Sequence, residues 1–138
     1  EHLERECAAG RASLPLTGGP TSVLLHPHCH QRSMGLAAPA RALLSRIPGA
    51  TVTDLDAGCC GMAGSFGYTK DHYDVSRDIG ELKLFPAARA MARTADMPGK
   101  SVLVASGTSC RHQVAHFTSV DAVHPAVLLR GLLDPRRR

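Results

Sequence analysis

The chain contains no tryptophan, only three phenylalanines and two tyrosines, and no apolar run near the roughly 18 residues that would span a bilayer. With so few aromatic platforms for stacking bases, and with lysine and arginine spread along the chain, the residues argue against a nucleic-acid interface. The formal charge of +4 is largely terminal: Arg136, Arg137 and Arg138 supply three charges, and the body carries +1. No charged-then-apolar signal pattern opens the chain. The hydrophobic fraction of 43% and charged fraction of 20%, over 138 residues, fit one globular domain with one sizeable core. Disorder and fibrous repeats are excluded on the same numbers.

What is present in unusual supply is cysteine, at five positions. An odd count, without regular spacing or a signal segment, argues against a disulfide scaffold. It favours a reducing, cytoplasmic setting, with membrane association only through partners, where clustered cysteines bind metal or do redox chemistry.

Residues 1–20 read as a short helix running into the proline- and glycine-rich SLPLTGGP, the linker or end of a preceding segment. A start at EHLERECAAG, on Glu, is expected to continue an upstream polypeptide. Residues 21–133 read as the domain and 134–138 as a basic tail. TSVLLH predicts a strand stopped by Pro27, and Leu36, Leu43, Leu44 and Ile47 predict a helix closed by Pro48 and Gly49. TVTDLD predicts a second strand, entering the loop AGCCGMAGSFGY, where glycine recurs at every third position. Val75, Ile79, Leu82, Phe85, Ala88 and Met91 fall on one helical face, with a kink or a second helix starting near Pro86. SVLVASG predicts a buried strand, followed by a helix capped by Thr108 or Ser109 with Cys110 in its first turn. A brief fourth strand is expected to end at His124 and Pro125, before a last short helix.

This alternation predicts an α/β fold: an open, mostly parallel sheet of about four strands, helices on both faces, and the cysteine loops at the C-terminal rim of the strands. Cys29, Cys59, Cys60 and Cys110 each follow a predicted strand and should meet at that rim. Four thiolates make a complete ligand set for an iron-sulfur cluster or a tetrahedral metal, about 2.3 Å from the metal. Adjacent cysteines point apart in regular structure, so Gly58 and Gly61 are needed to turn both inward, and amides of that loop can donate to the sulfurs. Cys7 has no partner nearby. His26, His28, His30, His112 and His124 crowd the same rim; with zinc, His28, His30 or His112 could replace a thiolate. The glycines match neither the dinucleotide fingerprint nor the phosphate loop.

The residues HPHCHQ, GCCGMAGSFGY, SGTSCRHQ and VHPAVLL together resemble the cysteine-rich CCG domain family over about residues 21–133. That family includes heterodisulfide reductase B subunits and the iron-sulfur parts of glycolate-, lactate- and glycerol-3-phosphate-oxidising enzymes. CCGMAGSFGYTKDHYDVSRDIGELKLFPA is similar to the C-terminal part of bacterial fused FAD-linked oxidoreductases of D-2-hydroxy acids such as D-lactate and D-2-hydroxyglutarate. The resemblance implies an electron-transfer domain holding an iron-sulfur cluster, of the 4Fe-4S type, on Cys29, Cys59, Cys60 and Cys110. It also implies FAD in an upstream domain of the same polypeptide, and an electron acceptor these residues do not name. A structural zinc module and a thiol-disulfide catalyst using Cys59 and Cys60 remain the alternatives. Two departures stand out: Gln113 occupies the place of the second cysteine in the Cys-x-x-Cys that ends many such domains, and one CCG copy is present rather than two.

Overall fold

The computed structural model describes residues 1–94 and 100–137; Arg138, the end of the expected basic tail, lies outside them. Among the described residues, three parallel strands form the sheet, in the order β2-β1-β3: β1 (Ser22–His26), β2 (Thr51–Asp54) and β3 (Ser101–Ala105). The helices are α1 (His2–Ala8), α2 (Cys29–Ser33), α3 (Ala37–Leu44), α4 (Tyr73–Glu81), α5 (Leu84–Thr94), α6 (Thr108–Thr118) and α7 (Pro125–Gly131). Short 3-10 turns occupy Phe66–Tyr68, Lys70–His72 and Pro135–Arg137.

Period-two alternation along the strands separates the core into two layers. Val23, Leu25, Val52 and Val104 pack with Leu44, Ile47 and Leu129 of the α3 and α7 side. Leu103 and Ala105 pack on the other face with Leu84, Phe85, Ala88 and Val114, and this layer also contains Cys60, Met62 and Cys110. Both faces of the sheet are therefore covered, as a parallel sheet requires.

The expected fourth strand is reduced to one parallel bridge, Val104 to Val123, with Ala105 N–H donating to the Val123 carbonyl at 3.0 Å and Val123 N–H to the Leu103 carbonyl at 2.8 Å. Pairing goes no further because Pro125 opens α7, with the His124 ring accepting from the Ala126 amide as its cap. Among the described residues the sheet thus has three strands rather than about four.

The apolar series from Val75 to Met91 divides at Leu82 into α4 and α5, with Pro86 in the first turn of α5. Only its second half faces the core. Phe85 and Ala88 are fully buried, whereas Val75 is 51% and Leu82 82% exposed. The inward face of α4 is instead Ser76 and Gly80, because a Cβ at position 80 would run into the Phe85 ring. Small residues let α4 sit close to the cysteine loop, and the bulkier side chains are left outside.

The N-terminal segment is fastened to the body. Glu4 receives a bidentate pair from Arg46 at 2.8 Å, and Leu16 bridges Leu133, with Thr17 N–H donating to the Leu132 carbonyl at 2.7 Å.

Candidate metal centre

All three strands point the same way, so their exits lie at one edge of the sheet. Cys29 opens α2 two residues past Pro27, which follows β1; Cys59 and Cys60 lie in the loop after β2; Cys110 occupies the first turn of α6 after β3. The four thiols are close enough to shift one another's titration: Cys60 with Cys110 and Cys59, Cys59 with Cys29, and Cys110 with Cys29 and Cys59. Cys7, on α1 near Arg46, stands apart from this group. Cys60 and Cys110 are buried, while Cys29 and Cys59 are partly exposed.

The CCG loop bends by positive backbone angles at Asp56, Gly58, Gly61, Ala63 and Gly64. Gly61 is the strictest of these. Its φ is +96°, and a Cβ there would meet the carbonyl oxygen of Ser76 in α4. With Gly61 in this turn, its amide donates to Cys59 Sγ at 3.3 Å. Gly58, by contrast, has φ +67° with open space around it. Gly107, the residue preceding α6, is required sterically, since a Cβ would strike the His28 ring and lie 2.9 Å from Cys110 Sγ. The backbone is still extended at Gly107 (φ −74°, ψ 131°) and helical from Thr108, so the cap position of α6 is Gly107 rather than Thr108 or Ser109, with no side-chain cap.

Electrostatics divide the buried pair unequally. The hydrogen bond from Cys110 leads in lowering the Cys60 thiol to about 6, helped by the Met62 amide and opposed by burial. Cys110 moves up, first because it donates to Cys60 and then by burial. The two therefore shift in opposite directions, Cys60 toward the thiolate and Cys110 toward the thiol. Burial raises Cys59, against the Gly61 amide that lowers it.

Around the thiols is a polar frame that sequence patterning did not single out. Gln113 is buried, and its amide donates to Ser76 Oγ at 2.8 Å and to the Cys60 carbonyl at 3.3 Å, tying α6 and α4 to the CCG loop. At the second cysteine's place in the Cys-x-x-Cys, this chain therefore has a structural amide. Arg32 pairs with Asp54 at 2.6 Å and Asp56 at 3.1 Å, holding α2 against the exit of β2. Arg111 donates to the Ala105 and Ser106 carbonyls at 3.0 and 2.9 Å. Such long-range pairs carry no periodic signal; Gln113 stands out in the sequence only as the residue in place of a second cysteine.

The histidines have separate places. His28 accepts from the His30 amide at 3.3 Å and caps α2, and His124 caps α7. His26 is buried at the end of β1, and His30 and His112 are exposed. Beside the cysteine loop a cavity of about 270 Å³ is lined by Met62, Tyr68, Tyr73, Gln113 and His116, with Tyr73 and His116 hydrogen-bonded at 2.8 Å.

Among the described residues, no three His, Cys, Asp or Glu side chains already form a cage for a metal ion. The donor chemistry nevertheless fits a thiophilic group: four mutually interacting thiols, one of them favoured as thiolate, with an amide donor at Cys59.

Comparison with known proteins decides the family. The model of the CCG cysteine-rich domain matches residues 23–115, from the first residues of β1 to α6. The chain belongs to the CCG cysteine-rich domain family. One subunit of the anaerobic glycerol-3-phosphate dehydrogenase of Escherichia coli K12 is 34% identical over 88% of this chain. The D-2-hydroxyglutarate dehydrogenases of Escherichia coli K12 and Pseudomonas putida are 32% and 31% identical, each over 77% of it. The chain spans 28% of the first relative and 10% of each of the other two. No solved structure gives a significant match. This CCG domain is thus related to components of oxidoreductases, and among its described residues no helix is long and apolar enough to cross a membrane.

Proposed function

We propose that this CCG domain is the iron-sulfur-binding electron-transfer part of a FAD-linked oxidoreductase of D-2-hydroxy acids, with Cys29, Cys59, Cys60 and Cys110 as ligands. The observation that carries this reading is the placement of four cysteines at three strand exits along one sheet edge, close enough to perturb one another's titration. A bound cluster, 4Fe-4S in type, would accept and release single electrons.

The protein's own residues supply the rest. Cys60 is favoured as a thiolate and needs the least deprotonation on binding. Gly58 and Gly61 shape the loop, and the Gly61 amide offers a hydrogen bond at Cys59 that would favour the reduced state. The sheet edge and α2 leave Cys29 and Cys59 partly exposed, the side on which electrons would pass to and from a partner. The resemblance to D-2-hydroxyglutarate dehydrogenases supports a hydroxy acid as the electron source, and an upstream FAD domain of the same polypeptide as the partner. A cytoplasmic setting belongs to the same proposal.

The chain purified without oxygen should contain iron and acid-labile sulfide in equal amounts, with broad visible absorbance that bleaches on reduction. Replacing any one of the four cysteines by serine should lower the iron content at least several-fold, while Cys7→Ser leaves it unchanged. Stoichiometric zinc without sulfide, or iron retained in the Cys60→Ser and Cys110→Ser variants, would overturn the reading.

A further inference from the structure

The orphaned buried polar atoms among the described residues flank one cysteine in the sequence. Both ring nitrogens of His26 and the Nε of Arg32 are the only buried side-chain nitrogen or oxygen atoms without a hydrogen-bond partner among the described residues. His26 stands three residues before Cys29 and Arg32 three after it. Leaving such groups unpaired costs about 1 to 3 kcal/mol each, so an orphan in a folded protein calls for a partner.

The topology says where that partner would be. Leu25 packs in the core layer of α3 and α7, so the next residue of β1, His26, turns to the opposite face. Its register partner, Ala105, packs in the layer that contains Cys60 and Cys110. Cys29 and Arg32, at i and i+3, share one side of α2. His26 is 1% exposed, and Arg32, Asp54 and His28 are the charged and titratable groups felt by its ring. Burial, with Arg32 beside it, keeps the imidazole neutral, leaving one N–H to donate. Asp54 is already engaged by Arg32 and by the Asp56 amide at 2.8 Å.

We propose that His26, seconded by the Nε–H of Arg32, donates a hydrogen bond to the sulfur-bound group held by Cys29, Cys59, Cys60 and Cys110, and so sets its reduction potential as a positioning residue. The inference rests on the iron-sulfur reading above. A donor aimed at cluster or ligand sulfur stabilises the more negative, reduced state and moves the midpoint upward.

The test uses anaerobically prepared chain, wild type and the variants His26→Leu, His26→Gln and His30→Ala, each assayed first for iron and sulfide. Midpoint potentials come from redox titration followed by electron paramagnetic resonance. Pulsed measurements on protein with nitrogen-15 histidine detect weak coupling between the reduced cluster and a hydrogen-bonded ring. Wild type and His30→Ala should show that coupling. His26→Leu should keep its iron, lose the coupling and shift to a more negative potential, and His26→Gln, which retains an N–H donor, should recover part of the shift. An iron-loaded His26→Leu with unchanged potential and coupling overturns the proposal, as does a coupling large enough for a directly bound nitrogen. If His26→Leu does not fold, absence of any histidine coupling in the wild type overturns it alone. A wild-type chain without iron and sulfide defeats the underlying reading instead, and metal analysis tells the two failures apart.

Discussion

Gly61 bears more constraint than any other non-cysteine position of the site. Its φ of +96° lies in the region that side chains rarely adopt, and the Ser76 carbonyl occupies the place of its Cβ. Strain alone contributes about 1 to 3 kcal/mol, and the clash is with backbone that cannot rotate away. Gly61→Ala should therefore destabilise the chain by more than about 2 kcal/mol in urea denaturation and lower its iron content. Gly58→Ala meets no neighbour and should cost only the strain of its positive angle. Both glycines were expected from their place beside the cysteine pair, yet only packing against α4 distinguishes the indispensable one.

At the scale of elements, the break between α4 and α5 decides which apolar residues matter. Phe85 is fully buried against Gly80 and stacks with Phe117 at 5.1 Å between ring centres, so Phe85→Ala should cost about 3 to 5 kcal/mol. Leu82, 82% exposed, belongs to the same sequence stripe, but Leu82→Ser should change stability by less than about 0.5 kcal/mol. Comparison of the two urea midpoints checks the division; equal losses would mean that the stripe acts as one buried face. The strands were legible because β1 and β3 are short β-branched and leucine-rich runs ended by Pro27 and by Ser106-Gly107. Periodicity could not reveal that α4 turns Ser76 and Gly80 inward. That choice depends on how closely the helix can approach Gly61 and Gly67.

For the molecule as a whole, His26 links stability to acidity. Burial leads in lowering its ring from the ordinary 6.5 to about 4, with Arg32 adding to the shift. Because the folded value lies below the unfolded one, the contribution is fully present above about pH 6.5 and fades as pH falls through 4, a loss of about 3 kcal/mol. Urea midpoints of the isolated chain should fall more steeply between pH 7 and pH 4 in the wild type than in His26→Gln, which does not titrate there. Parallel slopes would refute the assignment.

The amino-acid order by itself determined the class of fold and the edge at which the cysteines gather. Strand and helix periods are local, and parallel strands carry their exits to one side whatever the details of packing. Tertiary structure alone decided that Cys60 and Cys110 shift in opposite directions, that Gln113 braces the CCG loop through Ser76 and the Cys60 carbonyl, and that the fourth strand shrinks to a single bridge at Val123. The reason is physical: these outcomes depend on distances between residues dozens of positions apart, set by core packing and steric contact, which no local pattern encodes.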